Sequence, residues 1–317
     1  SLDYVLSVAK GENTPKTEDT DRSDIAVNAI EILQEEWPVL ISADACNEYF
    51  ETEIGDISSV QKAFGLNNLI DKLVMVKKLR EVRVLRGFHR VSPGDEDMLV
   101  RSDLGKGLNW LPGMEVFGEG IFISFDEREI ENWLADNESE IDDRLFAMQQ
   151  RWLDKKMDYL PEPTPRFVML HTFAHLLIRQ LSFECGYSAS SLRERIYAAD
   201  SDSEIGAMAG ILIYTADSDS EGSLGGLVRQ GLPERIIPTI LTALERSKWC
   251  SSDPICRELP GQGMQGLNRA ACHSCTLLSE TSCISNNVLL DRMLILGDDS
   301  NPYGFFSSVL NGMQRQG

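Results

Sequence analysis

Trp249 to Asp291 reads WCSSDPICRELPGQGMQGLNRAACHSCTLLSETSCISNNVLLD, and five of the chain's seven cysteines fall within it: Cys250, Cys256, Cys272, Cys275 and Cys283. Cys272 and Cys275 form a C-x-x-C pair, a spacing that lets two thiolates face one ion from a tight turn. Cys250 and Cys256 make a looser pair upstream, and Cys283 follows a short loop. Zinc takes four soft ligands in a tetrahedron, with thiolates about 2.3 Å from the ion. Five cysteines for four places leave one spare. Cys272, Cys275 and Cys283 are the first three expected ligands, and Cys256 or Cys250 completes the set. His273, between two cysteines, is read as a neighbour and not a ligand. The expected cofactor is therefore Zn2+, closing a loop-rich tail whose folding draws on the metal's binding energy.

A disulfide framework fits less well. The opening residues, SLDYVLSVAKGENT, show no basic stretch followed by an apolar run, so no secretory signal is visible. Clustered cysteines in such a chain point to metal in a reducing, cytoplasmic setting. No apolar run approaches the roughly eighteen residues of a membrane span. The formal net charge of −20 argues against a chain that coats nucleic acid by itself, since phosphate binding needs clustered Lys and Arg.

Working back from the cysteines, the helical spacing of TILTALERSKW predicts a helix that delivers Cys250 to the knuckle, with Pro233 and Pro238 flanking its start. AGILIYTA, residues 209–216, reads as a short buried strand. The glycines after it, Gly222, Gly225 and Gly226, make no G-x-G-x-x-G, and no G-x-x-x-x-G-K-[ST] occurs anywhere. They are read as close backbone packing, not as a phosphate cradle. Ser191 to Glu194 resembles a capping box opening a short helix, SLRERIY. RFVMLHTFAHLLIRQLSFEC, residues 166–185, is apolar over most of its circumference and predicts a central buried helix. Thr164 caps it, Pro165 takes the first turn and Gly186 stops it. His171 and His175 lie four apart and share a face of that helix. The metalloprotease pattern H-E-x-x-H has Glu beside the first histidine, and Thr172 stands there instead. These histidines are read as core residues, with a metal-dependent hydrolase or nuclease using His171, His175 and an acid such as Asp217 as the alternative.

Toward the other end, IAVNAIEILQEEW predicts the first helix after a polar lead-in. Residues 67–76 are ambiguous between helix and strand. KKLREVRVLRGFHR is the one basic island, with Lys77, Lys78, Arg80, Arg83, Arg86 and Arg90 against a single Glu81. A solvated strand face is the plainer reading, and contact with nucleic acid or an acidic partner the sharper one. MEVFGEGIFISF predicts a strand with a bulge at Gly118 and Gly120. Asp126 and Glu129 fit the cap of the helix that follows. Asn287 to Leu296 predicts a last amphipathic helix. The fold class is mixed α/β (α+β), a small sheet covered by helices with a C-terminal zinc knuckle. Its expected divisions are a flexible lead-in at 1–24, a mixed α/β region at 25–160, a zinc-binding domain at 161–297 and a loose tail at 298–317.

Four strings taken together carry a resemblance: HTFAHLLIRQLSFECGYSASSLRERIY, GILIYTADSDSEGSLGGLV, WCSSDPIC, and AACHSCTLLSETSC followed by N-x-x-L-L-D-R. The combination resembles the MrfA-type zinc-binding family, and within it the DrmB-like subunits of the DISARM anti-phage system. The resemblance implies zinc held by cysteines matching Cys272, Cys275, Cys283 and one upstream. It implies a non-enzymatic accessory role beside a DrmA-like superfamily 2 helicase, with DNA engaged through the complex; no membrane contact is expected, from the lack of a spanning apolar run. DrmB-like chains are usually longer and this one does not open on Met, so it is expected to be part of a longer protein.

Overall fold

The computed structural model describes residues 22–66, 69–89, 99–102, 107, 110–157, 159–186, 188–203, 205–215, 226–298 and 301–314. Helix α1 (Arg22–Ser42) is followed by β1 (Phe50–Gly55), α2 (Ser58–Ala63), the long β2 (Ile70–Val84), and the short β3 (Gly87–His89) and β4 (Leu99–Arg101). β5 (Gly113–Phe125), α3 (Glu127–Asp136), α4 (Glu138–Asp154) and α5 (Pro165–Cys185) come next. β6 (Leu192–Ala199), β7 (Met208–Thr215), α6 (Gly226–Gln230), α7 (Pro233–Ser247), α8 (Ile255–Glu258), α9 (Met293–Leu296) and α10 (Ser307–Gln314) complete the order. The mixed α/β class is observed. The expected lead-in at 1–24 lies outside the described residues as far as residue 21, and α1 starts at Arg22.

Among the described residues five strands form one antiparallel sheet in the order β1-β2-β5-β7-β6. Both faces of its centre are covered, which explains the unbroken aliphatic run of β7. Ile211 and Ile213 enter the core shared with α5 and α7, whereas Leu212 and Tyr214 enter a smaller core beneath α1. The same alternation sorts β5, with Ile121, Ile123 and Phe125 on one side and Phe122 on the other. Beneath α1, the rings of Trp37, Phe122 and Tyr197 meet pairwise at centroid separations of 5.7 to 5.8 Å. Gly210 makes room for them, because a Cβ there would stand 2.8 Å from the Trp37 ring. Gly210→Ala is expected to destabilise by about 1–3 kcal/mol through overpacking, read as a lower urea midpoint at unchanged slope.

A register shift stands where a bulge is expected at Gly118 and Gly120, but the extra residue belongs to β2 and not to β5. Val76 pairs with Gly120 and Leu79 with Gly118, so two residues of β2 oppose Glu119 alone. Glu119 turns its buried carboxylate to the first amides of α6, accepting from Leu227 N at 2.8 Å and Val228 N at 3.3 Å.

Helix α5 is the axis of the larger core, with nearly every residue from Arg166 to Leu181 buried. Thr164 Oγ1 accepts from Phe167 N at 3.1 Å, Pro165 opens the first turn and Gly186 closes the helix at φ 71°. Removing the cap in Thr164→Ala is expected to cost about 1 kcal/mol, checked by equilibrium urea unfolding. Strands from either side of residue 160 share the sheet, and the larger core runs from Ile57 to Leu310. The Pro-rich segment at 160–165 thus crosses a common core.

Two expected elements take another form. SLRERIY is not a helix but most of β6, paired with β7 along its whole length. Ser191 does not cap there, because its hydroxyl turns back to donate to Ser188 O at 2.7 Å. Pairing with the aliphatic β7 outweighs a local signal worth about 1 kcal/mol. The helix expected from Asn287 contracts to Met293–Leu296, since Asn286, Asn287 and Leu289 have φ of 54°, 57° and 62°. Such left-handed residues cannot propagate an α-helix. Pro238, expected beside the start of α7, lies inside it, one turn past Pro233.

Candidate metal centre

Helix α7 ends at Ser247 and places Cys250 three residues on. The next turn carries Cys256 in α8, and a loop returns the chain to Cys272 and Cys275. The tight turn expected of C-x-x-C forms: Cys275 N donates to Cys272 O at 3.2 Å and Thr276 N to the same carbonyl at 2.9 Å. Arg179 of α5 fastens this turn by donating to Ser274 O and Leu277 O, both at 2.9 Å.

Cys250, Cys256, Cys272 and Cys275 bring their sulfurs within 4.8 Å of one another. Neighbouring separations are 3.5 Å for Cys250–Cys272, 3.7 Å for Cys272–Cys275 and 3.8 Å for Cys256–Cys275. A tetrahedron of thiolates about 2.3 Å from zinc has edges of about 3.8 Å, so the donor set fits this ion. The sulfurs also receive the hydrogen bonds that thiolate ligands need. Ser252 N donates to Cys250 Sγ at 3.4 Å, Cys272 N to Cys275 Sγ at 3.3 Å and Thr276 Oγ1 to Cys275 Sγ at 3.2 Å. The Cys256 thiol's hydrogen bond holds Cys275 down at about 4 against burial, with help from Thr276, the Cys272 amide and Arg292. The same contact, together with burial, pushes Cys256 far up.

Arg292 staples the knuckle to the core. It is 1% exposed and donates to Ser247 O (2.7 Å), Ala270 O (3.2 Å) and both carboxylate oxygens of Asp253 (2.9 and 3.0 Å). Those partners end α7, precede Cys272 and separate Cys250 from Cys256. Its neighbour Asp291 receives a two-pronged bond from Arg144 of α4 at 2.6 and 2.9 Å.

Cys283 stands apart from these four. It gathers with His171, His175 and Glu194, all four buried and with ligand atoms within 4.8 Å of one another. Glu194 N donates to Ser282 O at 3.2 Å, which draws this loop onto β6 and away from the cysteine knuckle. The carboxylate of Glu194 and the sulfur of Cys283 oppose the burial penalty on His171 and hold it up at about 10, and they raise His175 as well. Glu194 is hidden in the sequence because SLRERIY reads as a helix. Period-two reading puts Leu192, Glu194 and Ile196 on one inward face, which singles out a carboxylate among apolar residues.

Most of the basic island forms the outer half of β2, and much of its charge is matched across the sheet or along the strand. Lys77 lies 2.6 Å from Glu53 of β1, Arg80 bonds Glu115 of β5 at 2.8 Å, and Arg83 bonds Glu81 at 2.6 Å. Lys78 sits over the ring of Phe117 and Arg80 over that of Tyr49. Arg86 is exposed, while Arg90 and Asp217 lie outside the described residues.

With this geometry in place, likeness to known proteins is informative. The family profile described as the MrfA Zn-binding domain matches residues 173–276, a stretch holding all four clustered cysteines. The chain is similar to the DISARM protein DrmB of Bacillus paralicheniformis, with 40% identity over 250 residues. That match covers 76% of this chain and 43% of the relative, so the chain spans less than half the length of the curated protein it matches. Over three quarters of its length the chain is thus DrmB-like, and it carries an MrfA-type zinc-binding domain.

Proposed function

We propose that the chain is a non-catalytic, zinc-stabilised accessory subunit that partners a superfamily 2 DNA helicase in anti-phage defence and aids its engagement of DNA. The observation that carries this reading is the likeness to a DISARM protein across three quarters of the chain, joined to the four-cysteine knuckle. A knuckle closed by four thiolates gives zinc a structural role, because catalytic zinc keeps one position for water or substrate. The net charge of −20 suits docking on a basic partner better than solitary DNA binding. Among the described residues no helix is long and apolar enough to cross a membrane; the proposed place of work is the cytoplasm.

The competing reading, a metal-dependent hydrolase or nuclease at His171 and His175, meets a physical obstacle. Both histidines are fully buried and their shared partners, Glu194 and Cys283, are buried too, so no open coordination position faces solvent.

Affinity capture of the full-length protein from its native host, in mild salt and with phage present, tests the proposal. Co-purification of a superfamily 2 helicase is the expected result, and consistent absence of one would overturn the accessory role. Within the recovered complex, Arg83→Glu with Arg86→Glu is expected to weaken DNA binding and to make it less salt-dependent, by about one unit of slope for each phosphate no longer neutralised. Unchanged DNA binding would make the chain an interaction subunit that does not touch DNA.

A further inference from the structure

Four ligand atoms at the centre of the larger core converge on one point. His171 and His175 project from one face of α5, Glu194 from the inward face of β6, and Cys283 from the loop lying against both. His171 Nδ1 faces Leu289 O at 3.3 Å and His175 Nδ1 faces Thr276 O at 3.1 Å. A carbonyl oxygen only accepts, so each Nδ1 carries a proton, and with a cation bound each ring, neutral, presents its Nε2 as a lone pair. Those two nitrogens point at the same place. His171 Nε2 is 3.0 Å from Glu194 Oε1 and 3.2 Å from Cys283 Sγ, and His175 Nε2 is 3.4 Å from the same Oε1. Two of the inward atoms, His175 Nε2 and Glu194 Oε2, are buried without a hydrogen-bond partner. A buried polar atom left unpaired costs about 1–3 kcal/mol, and more where it is charged.

A cation resolves all of this at once. Tetrahedral zinc with nitrogen and oxygen ligands near 2.0–2.1 Å and sulfur near 2.3 Å requires edges of about 3.3 Å (N to O) and about 3.6 Å (N to S). The observed separations are within about half an ångström of those values. Carbonyl partners on both Nδ1 atoms are the outer shell that metal-bound histidines use to fix tautomer and ring direction. The thiolate and two imidazoles select a zinc-like ion over magnesium or calcium, which take oxygen ligands.

The geometry points to a second, separate structural zinc site formed by His171, His175, Glu194 and Cys283. It differs from the cysteine knuckle in ligand set and in the parts that it joins, locking α5 to β6 and to the 276–290 loop. Thr276 links the two centres, because its hydroxyl bonds Cys275 Sγ and its carbonyl accepts from His175. Four protein ligands in a sealed position leave no place for water, so the site holds the fold together and performs no hydrolysis. It lies partly beyond the matched zinc-binding stretch, since His171 precedes residue 173 and Cys283 follows residue 276.

The opposing account is a proton-only network, with both imidazoles charged against Glu194 and Cys283. Metal counting on the full chain, purified without chelator and re-equilibrated with Zn2+, separates the two. Two tightly bound zinc ions per wild-type chain are expected, falling to one in Cys283→Ala. Anomalous scattering at the zinc edge from wild-type crystals is expected to give two peaks, one within each cluster, and needs no variant to fold. A single peak among Cys250, Cys256, Cys272 and Cys275, with one zinc per wild-type chain, overturns the second site and leaves the knuckle intact. A peak within the histidine cluster alone would support the second site and instead remove the knuckle as a metal centre.

Discussion

Replacing Cys272 and Cys275 together by Ser is expected to release the knuckle zinc and unfold the C-terminal part of the chain. Structural zinc in finger-like peptides contributes about 10–16 kcal/mol of apparent binding energy near neutral pH. A whole domain is stable by only about 5–15 kcal/mol, so loss of this site is decisive. Here the metal closes a region with little regular structure between Trp249 and Arg292, where the longest helix is the four-residue α8. Without it, Cys250 and Cys256 lose the two sulfurs opposite them, and Arg179 has no ordered turn to fasten. Zinc content should fall by one ion per chain, with loss of cooperative thermal unfolding for this part and faster proteolysis between 249 and 291. A double variant that keeps full zinc and the parent's melting curve would remove the metal from the account of the fold.

The second large effect is expected at Arg292. In Arg292→Met the stem still fills its space, but Ser247 O and Ala270 O lose their donor and Asp253 its counter-charge. Breaking a buried ion pair from one side typically costs about 3–5 kcal/mol. Asp253 keeps some exposure to water, at 23% of its side chain, which favours the lower end of that range. Urea unfolding should show a clear drop in midpoint. Arg292→Lys should recover little of it, since one ammonium cannot span three segments as the guanidinium fork does. The segments that carry Cys250 and Cys272 also lose their anchor to each other, so competition with a chelator should release zinc sooner. A parent-like midpoint in Arg292→Met would show that the staple is dispensable.

Some of this was legible in the residues. Thr164, Pro165 and Gly186 bound α5 as expected, because caps and left-handed stops depend on one or two residues. Asp126 caps α3, accepting from Arg128 N and Glu129 N. The spacing of Cys272 and Cys275 foretold their turn, and the unbroken apolar run foretold β7. Other features were hidden because they depend on distant partners. SLRERIY carries a helix-like start, but β7 offered it an edge to pair with. The His171 and His175 pair looked like core filler until β6 brought Glu194 alongside. Arg292 and Asp253, 39 residues apart, carry no mutual sign in the sequence.

Local sequence was enough for the apolar central helix, the aliphatic strand, the caps, and the supply of thiolates for a soft metal. These follow from periodicity, backbone preference and ligand chemistry, which each residue carries wherever it stands. The division of the five cysteines was left to the packing of distant segments. Cys256 lies 16 residues before Cys272 yet joins it, whereas Cys283, only 8 residues after Cys275, is held elsewhere by the pairing of Ser282 with Glu194. Proximity along the chain limits reach, but the direction of a side chain is set by what its backbone packs against.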